Sequence, residues 1–139
     1  MNGNSLPDFL VVGAQRSGTT FLFNLLNQHP EVYLPSRKEI HFFDRDENYQ
    51  KGTKWYQSFF EGNSDQCTGE ITPEYMYLSK VPGRIKKKLN DHTKFIFLLR
   101  NPVDRALSHY MGNVSRGFED KTFMEAIEFE EKRLNRGEE

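Results

Sequence analysis

The first clear pattern is Phe9-Leu10-Val11-Val12, an unbroken apolar run that stops at Gly13. A run without polar alternation predicts a strand buried on both faces of a parallel sheet. A polar loop follows, and from Thr19 to Gln28 the residues Leu22, Leu25 and Leu26 recur at helical spacing. His29-Pro30 closes that helix, because the residue before a proline is pushed out of the α region. Val32-Tyr33-Leu34 and Cys67 to Ile71 predict two more short strands. The stretch from Asp44 to Ser64 is mixed, with Trp55, Tyr56, Phe59 and Phe60 at helical spacing between Gly52 and Gly62. Pro82 suits the first position of a helix in which Ile85 and Leu89 lie one turn apart.

The strongest strand signal runs from Lys94 to Leu99, with Arg100 at its end. Asn101 then reads as an N-cap, with Pro102 at the first helical position and Asp104 in the first turn. Val103, Ala106, Leu107, Tyr110 and Met111 give that helix an apolar face. Thr122 and Glu125 form a capping-box pattern at the head of a last helix carrying Phe123, Ile127 and Leu134. Strands alternating with helices predict an α/β fold, a three-layer sandwich around a central parallel sheet. No repeat, low-complexity segment or linker divides the chain, so residues 1–139 read as one domain.

Composition narrows the function. The 19 basic and 20 acidic residues leave a formal charge of −1, which argues against a general nucleic-acid or membrane-surface binder. The one cysteine, Cys67, has no internal partner for a disulfide, and the four histidines are scattered without metal-ligand spacing. No metal is therefore expected. The chain has no basic leader before a long apolar stretch and no window long enough to span a bilayer. The expectation is a cytoplasmic protein with no membrane partner. Oligomeric state is not readable from the pattern.

The sharpest chemical signal is Gly13-Ala14-Gln15-Arg16-Ser17-Gly18-Thr19-Thr20, between the first strand and the first helix. Glycines let the backbone turn tightly and expose successive N–H groups, which join the positive end of the helix dipole in a cradle for an anion. The strand–loop–helix context is that of a P-loop. Thr19, however, stands where an ATP-using loop has its lysine, and the cation is Arg16, inside the loop. A sulfuryl group in transit carries less negative charge than a phosphoryl group and needs less neutralisation by metal. The loop therefore favours an adenosine phosphosulfate over a nucleoside triphosphate. Arg100 lies at a strand end, the edge where ligands gather in open α/β sheets, and Ser108 lies two turns into the next helix. Read alone, these two are more simply an exposed arginine and a surface serine.

The loop GAQRSGTT, the segment KEIHFFD, the run KGTKWYQSFF, the tetrapeptide TPEY and the stretch FIFLLRNPVDRALSHY occur in the order seen in sulfotransferases that use 3′-phosphoadenosine-5′-phosphosulfate (PAPS). The chain resembles the heparan sulfate N- and 3-O-sulfotransferases and their bacterial counterparts over almost its whole length. The resemblance implies a P-loop-type fold that is incomplete at the C-terminus, because family members continue into a segment that closes over the donor. It implies PAPS as cosubstrate, with Arg16, Ser17, Gly18, Thr19 and Thr20 on its 5′-phosphosulfate and Arg100 and Ser108 on its 3′-phosphate. It also implies that Glu39 is the general base that takes the acceptor's proton.

From the residues alone, Glu39 is one ionisable group in Lys38-Glu39-Ile40-His41-Phe42-Phe43-Asp44, where burial beside Phe42 and Phe43 would raise its pKa. His41 could orient Glu39, contact the acceptor or serve as a hydrogen-bonded structural histidine. Lys38 is a candidate for stabilising the transferring group, and Asp44 for contacting the acceptor. Relatives carry a lysine just before the Thr-Pro pair, where this chain has Ile71. That departure puts a heparan-type mechanism in doubt. The expected acceptor is a hydroxyl or amine on a small molecule or carbohydrate, and a cytoplasmic location would argue against heparan sulfate itself. Two alternatives stand beside this reading: a P-loop kinase using ATP and Mg²⁺, and a non-catalytic nucleotide-binding module.

Overall fold

A computed structural model describes residues 6–61 and 65–136, with the side chains of residues 131, 134 and 136 also left aside. Gly62, the expected boundary of the aromatic stretch, the side chain of Leu134 and the end of the chain at residues 137–139 lie outside the described residues. The chain forms two compact units, residues 1–99 and residues 100–139.

In the first unit, β1 (Phe9–Gly13), β2 (Val32–Tyr33), β3 (Cys67–Ile71) and β4 (Lys94–Phe97) make one parallel sheet in the order β2-β3-β1-β4. The continuous apolar run lands at the centre of this sheet, and all five residues of β1 are buried. Successive side chains point to opposite faces. Phe9 and Val11 therefore join Leu34 and Ile71 under α1 (Thr19–Leu26), which contributes Leu22, Phe23 and Leu26. Leu10 and Val12 face the other way, into a larger core with Ile40, Phe42, Phe43, Tyr56 and Tyr75. That core is closed by α3 (Gly52–Gln57), which carries Tyr56, and α4 (Lys80–Lys88), which carries Val81 and Ile85. Helices on both faces of a parallel sheet make the three-layer α/β sandwich of the P-loop type.

Several boundaries differ from the sequence reading. Leu25 turns outward at 56% exposure, and Phe23 takes its place against the sheet. The helix expected from Pro82 starts earlier, at Lys80. Pro82 is its third residue, still among the first four whose N–H groups have no helical partner, so the proline breaks no bond. The strand signal over Lys94 to Leu99 yields ladder pairing only to Phe97, leaving Arg100 three residues beyond β4. A short helix α2 (Asp46–Tyr49) and a 3-10 helix (Pro73–Met76) complete the unit.

The second unit contains α5 (Pro102–Ser115) and α6 (Phe123–Arg136). Both helix starts form as the sequence predicts. The Asn101 side chain accepts from the N–H groups of Val103 and Asp104, at 3.0 and 3.4 Å. Thr122 and Glu125 exchange side-chain-to-backbone bonds: Thr122 N–H to Glu125 Oε2 at 2.9 Å, and Glu125 N–H to Thr122 Oγ1 at 3.4 Å. The rings of Tyr110 and Phe123 meet edge-on at 5.3 Å.

Candidate active site

The chain leaves β1 toward β2 and β3 on one side and later returns to β4 on the other. The carboxyl end of β1 is thus a topological switch point, where open α/β sheets leave a crevice for ligand. Two bonds pin the start of the loop after β1 to Leu98: Ala14 N–H donates to Leu98 O at 2.9 Å, and Leu98 N–H donates to Gly13 O at 2.7 Å. Gly13 has φ 148°, and a Cβ there would lie 2.7 Å from Pro73 O and 2.9 Å from Met76 Cβ. Only glycine fits that approach. Arg16 (φ 65°) and Gly18 (φ 94°) also adopt left-handed conformations, and Gly18 caps α1. Thr19 and Thr20 begin the helix, whose first-turn N–H groups have no helical partners. The Ser17 Oγ is buried without a hydrogen-bond partner. Orphaned donors at a helix N-terminus suit an anionic ligand.

Beside this loop lies the segment from Lys38 to Asp44. Ile40, Phe42 and Phe43 are fully buried in the aromatic core, where Phe42 stacks on Tyr56 at 4.4 Å and meets Phe43 edge-on at 4.9 Å. Glu39 and His41 alternate with them in the left-handed region, at φ 62° and 57°. Such conformations cost on the order of 1–3 kcal/mol each and persist only where the surroundings over-determine them. Here the surroundings are identifiable. Glu39 N–H donates to Ile71 O at 3.1 Å, at the end of β3. Asn48 Nδ2 donates to Ile40 O and His41 O at 3.3 and 3.0 Å, and Tyr75 Oη accepts from Phe42 N–H at 2.9 Å and Phe43 N–H at 3.3 Å.

The result is a set of ionisable side chains on one side of the segment. The rings expected to bury Glu39 belong to the core instead, and its side chain is 33% exposed and paired with Lys38. His41 is buried, with Nδ1 2.7 Å from Asp44 Oδ2 and Nε2 3.8 Å from Glu39 Oε2. Asp44 therefore orients the imidazole toward Glu39.

Two acidic residues were missed by the sequence reading. Glu74, in the 3-10 helix after β3, has one oxygen, Oε1, accepting from Gln15 Nε2 of the loop at 2.6 Å; the other, Oε2, is buried without a partner. That bond ties the loop to the residues after β3 across 59 positions of sequence, a pairing no spacing rule announces. Glu70, on β3, is fully buried beneath the site. Its Oε1 accepts from Thr72 Oγ1 and Tyr75 Oη, each at 2.7 Å, and its Oε2 from Tyr56 Oη. Burial pushes the Glu70 carboxyl above its ordinary pKa, and nearby Asp44 adds to this, while the three hydroxyls pull it back. Burial likewise pushes the Tyr56 and Tyr75 phenols far up, with the Glu70 charge adding to the effect.

Arg100 and Ser108 belong to the second unit, Arg100 just before the Asn101 cap and Ser108 in the second turn of α5. In the first unit the fold brings the Gly13–Thr20 loop to Glu39, His41 and Glu74 through the Gln15–Glu74 and Glu39–Ile71 bonds.

Known proteins resemble the chain in both sequence and structure. It is 42% identical over 106 residues to heparan sulfate glucosamine 3-O-sulfotransferase 5 of Mus musculus, covering 76% of this chain and 30% of that protein. It is 39% identical over 109 residues to the membrane-associated sulfotransferase kil1 of Dictyostelium discoideum, covering 76% of this chain and 22% of that protein. A crystal structure of a sulfotransferase from Alicyclobacillus acidocaldarius matches with TM-score 0.83 and 32% identity, over 97% of this chain and 61% of the other. The chain thus spans less than a third of the length of these two curated relatives.

These relatives overturn the cytoplasmic expectation, since one is named as membrane-associated and another as acting on heparan sulfate. The expectation rested on an apolar window missing from these 139 residues, and a chain that spans less than a third of these relatives carries no such information. No helix among the described residues is long and apolar enough to cross a membrane. The sulfotransferase domain model matches residues 6–138, and with the relatives above it shows that this chain belongs to the sulfotransferase family.

Proposed function

We propose that residues 1–139 act as the donor-binding part of one sulfotransferase domain that moves a sulfuryl group from PAPS to a hydroxyl or amine. The observation that carries this reading is the loop after β1 tied through Gln15 to Glu74, which lies with a ligand atom within 4.8 Å of those of Glu39 and His41. The loop suits the phosphosulfate: Arg16 supplies positive charge, the N–H groups around Gly18, Thr19 and Thr20 supply donors, and Ser17 offers an unpartnered hydroxyl. Arg100 and Ser108 are assigned to the 3′-phosphate, the group that distinguishes PAPS from ordinary nucleotides.

In the transfer, Glu39 takes the proton as the acceptor oxygen or nitrogen forms its bond to sulfur, and the bond from sulfur to the bridging phosphate oxygen breaks on the opposite side. The product nucleotide is adenosine 3′,5′-bisphosphate. Arg16 and the loop N–H groups stabilise the charge that grows on the departing phosphate. His41, held by Asp44 at 2.7 Å, keeps Nε2 turned toward Glu39 Oε2, 3.8 Å away. Holding donor and acceptor in line supplies much of the remaining acceleration. No step requires a metal ion.

For the acceptor we infer a carbohydrate or small-molecule hydroxyl or amine. The objection to a heparan-type substrate on grounds of location no longer applies. Ile71 in place of the relatives' lysine still argues for a different charge pattern at the acceptor.

Isothermal titration with adenosine 3′,5′-bisphosphate, beside ATP–Mg²⁺ and 5′-AMP, tests the donor assignment. The expected result is preferential binding of the bisphosphate, weakened at least tenfold in Arg100→Ala. Equal or better binding of ATP–Mg²⁺ would overturn it in favour of a kinase-type ligand.

A further inference from the structure

We propose that Glu39, His41 and Glu74 form a binding site for a divalent transition-metal ion of the zinc type, and that an ion held there blocks sulfuryl transfer. The second half rests on the reading of Glu39 as the base. The first half rests on geometry alone.

The ligand atoms of these three residues lie within 4.8 Å of one another. Each residue also has one ligand atom left to offer. Glu39 Oε1 is engaged by Lys38, leaving Oε2. His41 Nδ1 is engaged by Asp44 at 2.7 Å, which leaves Nε2 turned toward Glu39 Oε2 at 3.8 Å, too far for a hydrogen bond. Glu74 Oε1 is engaged by Gln15 at 2.6 Å, leaving Oε2 buried with no partner. A ligating histidine characteristically gives its other ring nitrogen to a carboxylate, and ligating carboxylates are themselves hydrogen-bonded from behind. All three residues have that backing here.

Two further observations point to a cation. The His41 and Asp44 side chains are 9% and 5% exposed, and Asp44 Oδ1 is a second buried carboxylate oxygen without a partner. Three carboxylates, those of Glu39, Asp44 and Glu74, therefore share a partly desolvated space with the single ammonium of Lys38, where an unpaired charge is costly and a further cation offsets the cost. The mixture of one imidazole and two carboxylates suits zinc or cobalt better than the all-oxygen sets of magnesium or calcium. At zinc bond lengths of about 2.1 Å, tetrahedral ligand atoms stand about 3.4 Å apart. The site must draw in by about an ångström, which rotation of the two glutamate side chains can supply. Three ligands leave at least one position open. An ion there occupies Glu39 Oε2, the lone pair that would accept the acceptor's proton.

The test is titration of tag-free, chelator-stripped protein with Zn²⁺ by calorimetry, and with Co²⁺ by visible absorption. The expected result is one ion per chain, bound at least tenfold more weakly in Glu74→Gln and in His41→Ala, and unchanged in the surface variant His92→Ala. Glu74→Ser provides a second change if the glutamine variant is poorly folded by circular dichroism. No stoichiometric binding by folded protein, or equal affinity in the Glu74 and His41 variants, would overturn the site. Sulfotransfer by the full-length protein should then be inhibited by Zn²⁺, with the inhibition constant raised at least tenfold by Glu74→Gln. Binding without inhibition would overturn the second half and count against Glu39 as base. The bisphosphate titration reports on the donor site independently of either result.

Discussion

Replacing Tyr75 with phenylalanine keeps the ring and removes one oxygen. That oxygen donates to Glu70 Oε1 at 2.7 Å and accepts from the N–H groups of Phe42 and Phe43 at 2.9 and 3.3 Å. The ring packs edge-on against Phe43 at 5.4 Å, so the substitution leaves volume and apolar contact almost unchanged. The loss is therefore one of hydrogen bonding. A bond to a charged partner contributes about 1.5–3 kcal/mol, and a buried N–H left unsatisfied costs about 1–3 kcal/mol. Glu70 keeps the hydroxyls of Thr72 and Tyr56, and the 3.3 Å bond is weak, so the contributions do not add in full. The expected destabilisation is about 3 kcal/mol, more than a hundredfold in the unfolding constant.

Urea melts followed by the fluorescence of Trp55, the only tryptophan, read this directly, because Trp55 packs on the same cluster. The midpoint should fall with the slope unchanged. Sulfotransfer by the full-length protein should fall as well, because the released amides hold the segment that carries Glu39 and His41. A loss below about 0.5 kcal/mol would refute the reasoning, since it would mean that the tyrosine oxygen is replaceable by solvent at a site taken to be dry.

Gly13→Ala should abolish bisphosphate binding and lower the melting temperature, because its Cβ would sit 2.7 Å from Pro73 O at φ 148°; wild-type affinity in calorimetry would show that the loop is not the anion site. Glu70 and Glu119 should have opposite pH signatures. Glu70 has a raised folded pKa, so its contribution is fully present below the unfolded carboxyl value of about 4.3 and is lost as pH rises through the folded value. Glu70→Gln should therefore flatten the fall of Trp55-monitored stability above that pH. Glu119 is pulled down to about 2, chiefly by the hydrogen bond from Arg133, so its contribution is present above the unfolded value and is lost as pH falls toward 2. Arg133→Met should therefore lower helical stability, read by circular dichroism, above the unfolded carboxyl value, with the difference from wild type vanishing as pH falls toward 2.

Much of this protein was legible from local pattern. A run of apolar residues stopping at glycine can only be buried on both sides, and Phe9–Gly13 became the central strand. Caps depend on residues within three positions of one another, so Asn101 and the Thr122–Glu125 box formed as read. Helix and strand ends were less legible: ladder pairing, not apolarity, ended β4 at Phe97, and tertiary burial chose Phe23 over Leu25. The phosphate-type loop was visible because its chemistry is contiguous, with glycines, a cation and a helix start in eight residues.

The rest of the site is not contiguous. Gln15 meets Glu74 across 59 positions, Phe42 leans on Tyr75 across 33, and Glu70 gathers hydroxyls from Tyr56, Thr72 and Tyr75. The scattered histidines show no metal-ligand spacing, and spacing rules see only neighbours in sequence. Parallel strands whose carboxyl ends share one edge bring distant residues together there, and only folding makes His41 a neighbour of Glu74. The sequence by itself determined the strand, the loop and the caps, because those follow from short-range sterics and hydrogen bonding. The tertiary structure decided which carboxylates are buried, which oxygens lack partners and which side chains face Glu39, because desolvation and pairing are properties of neighbours in space.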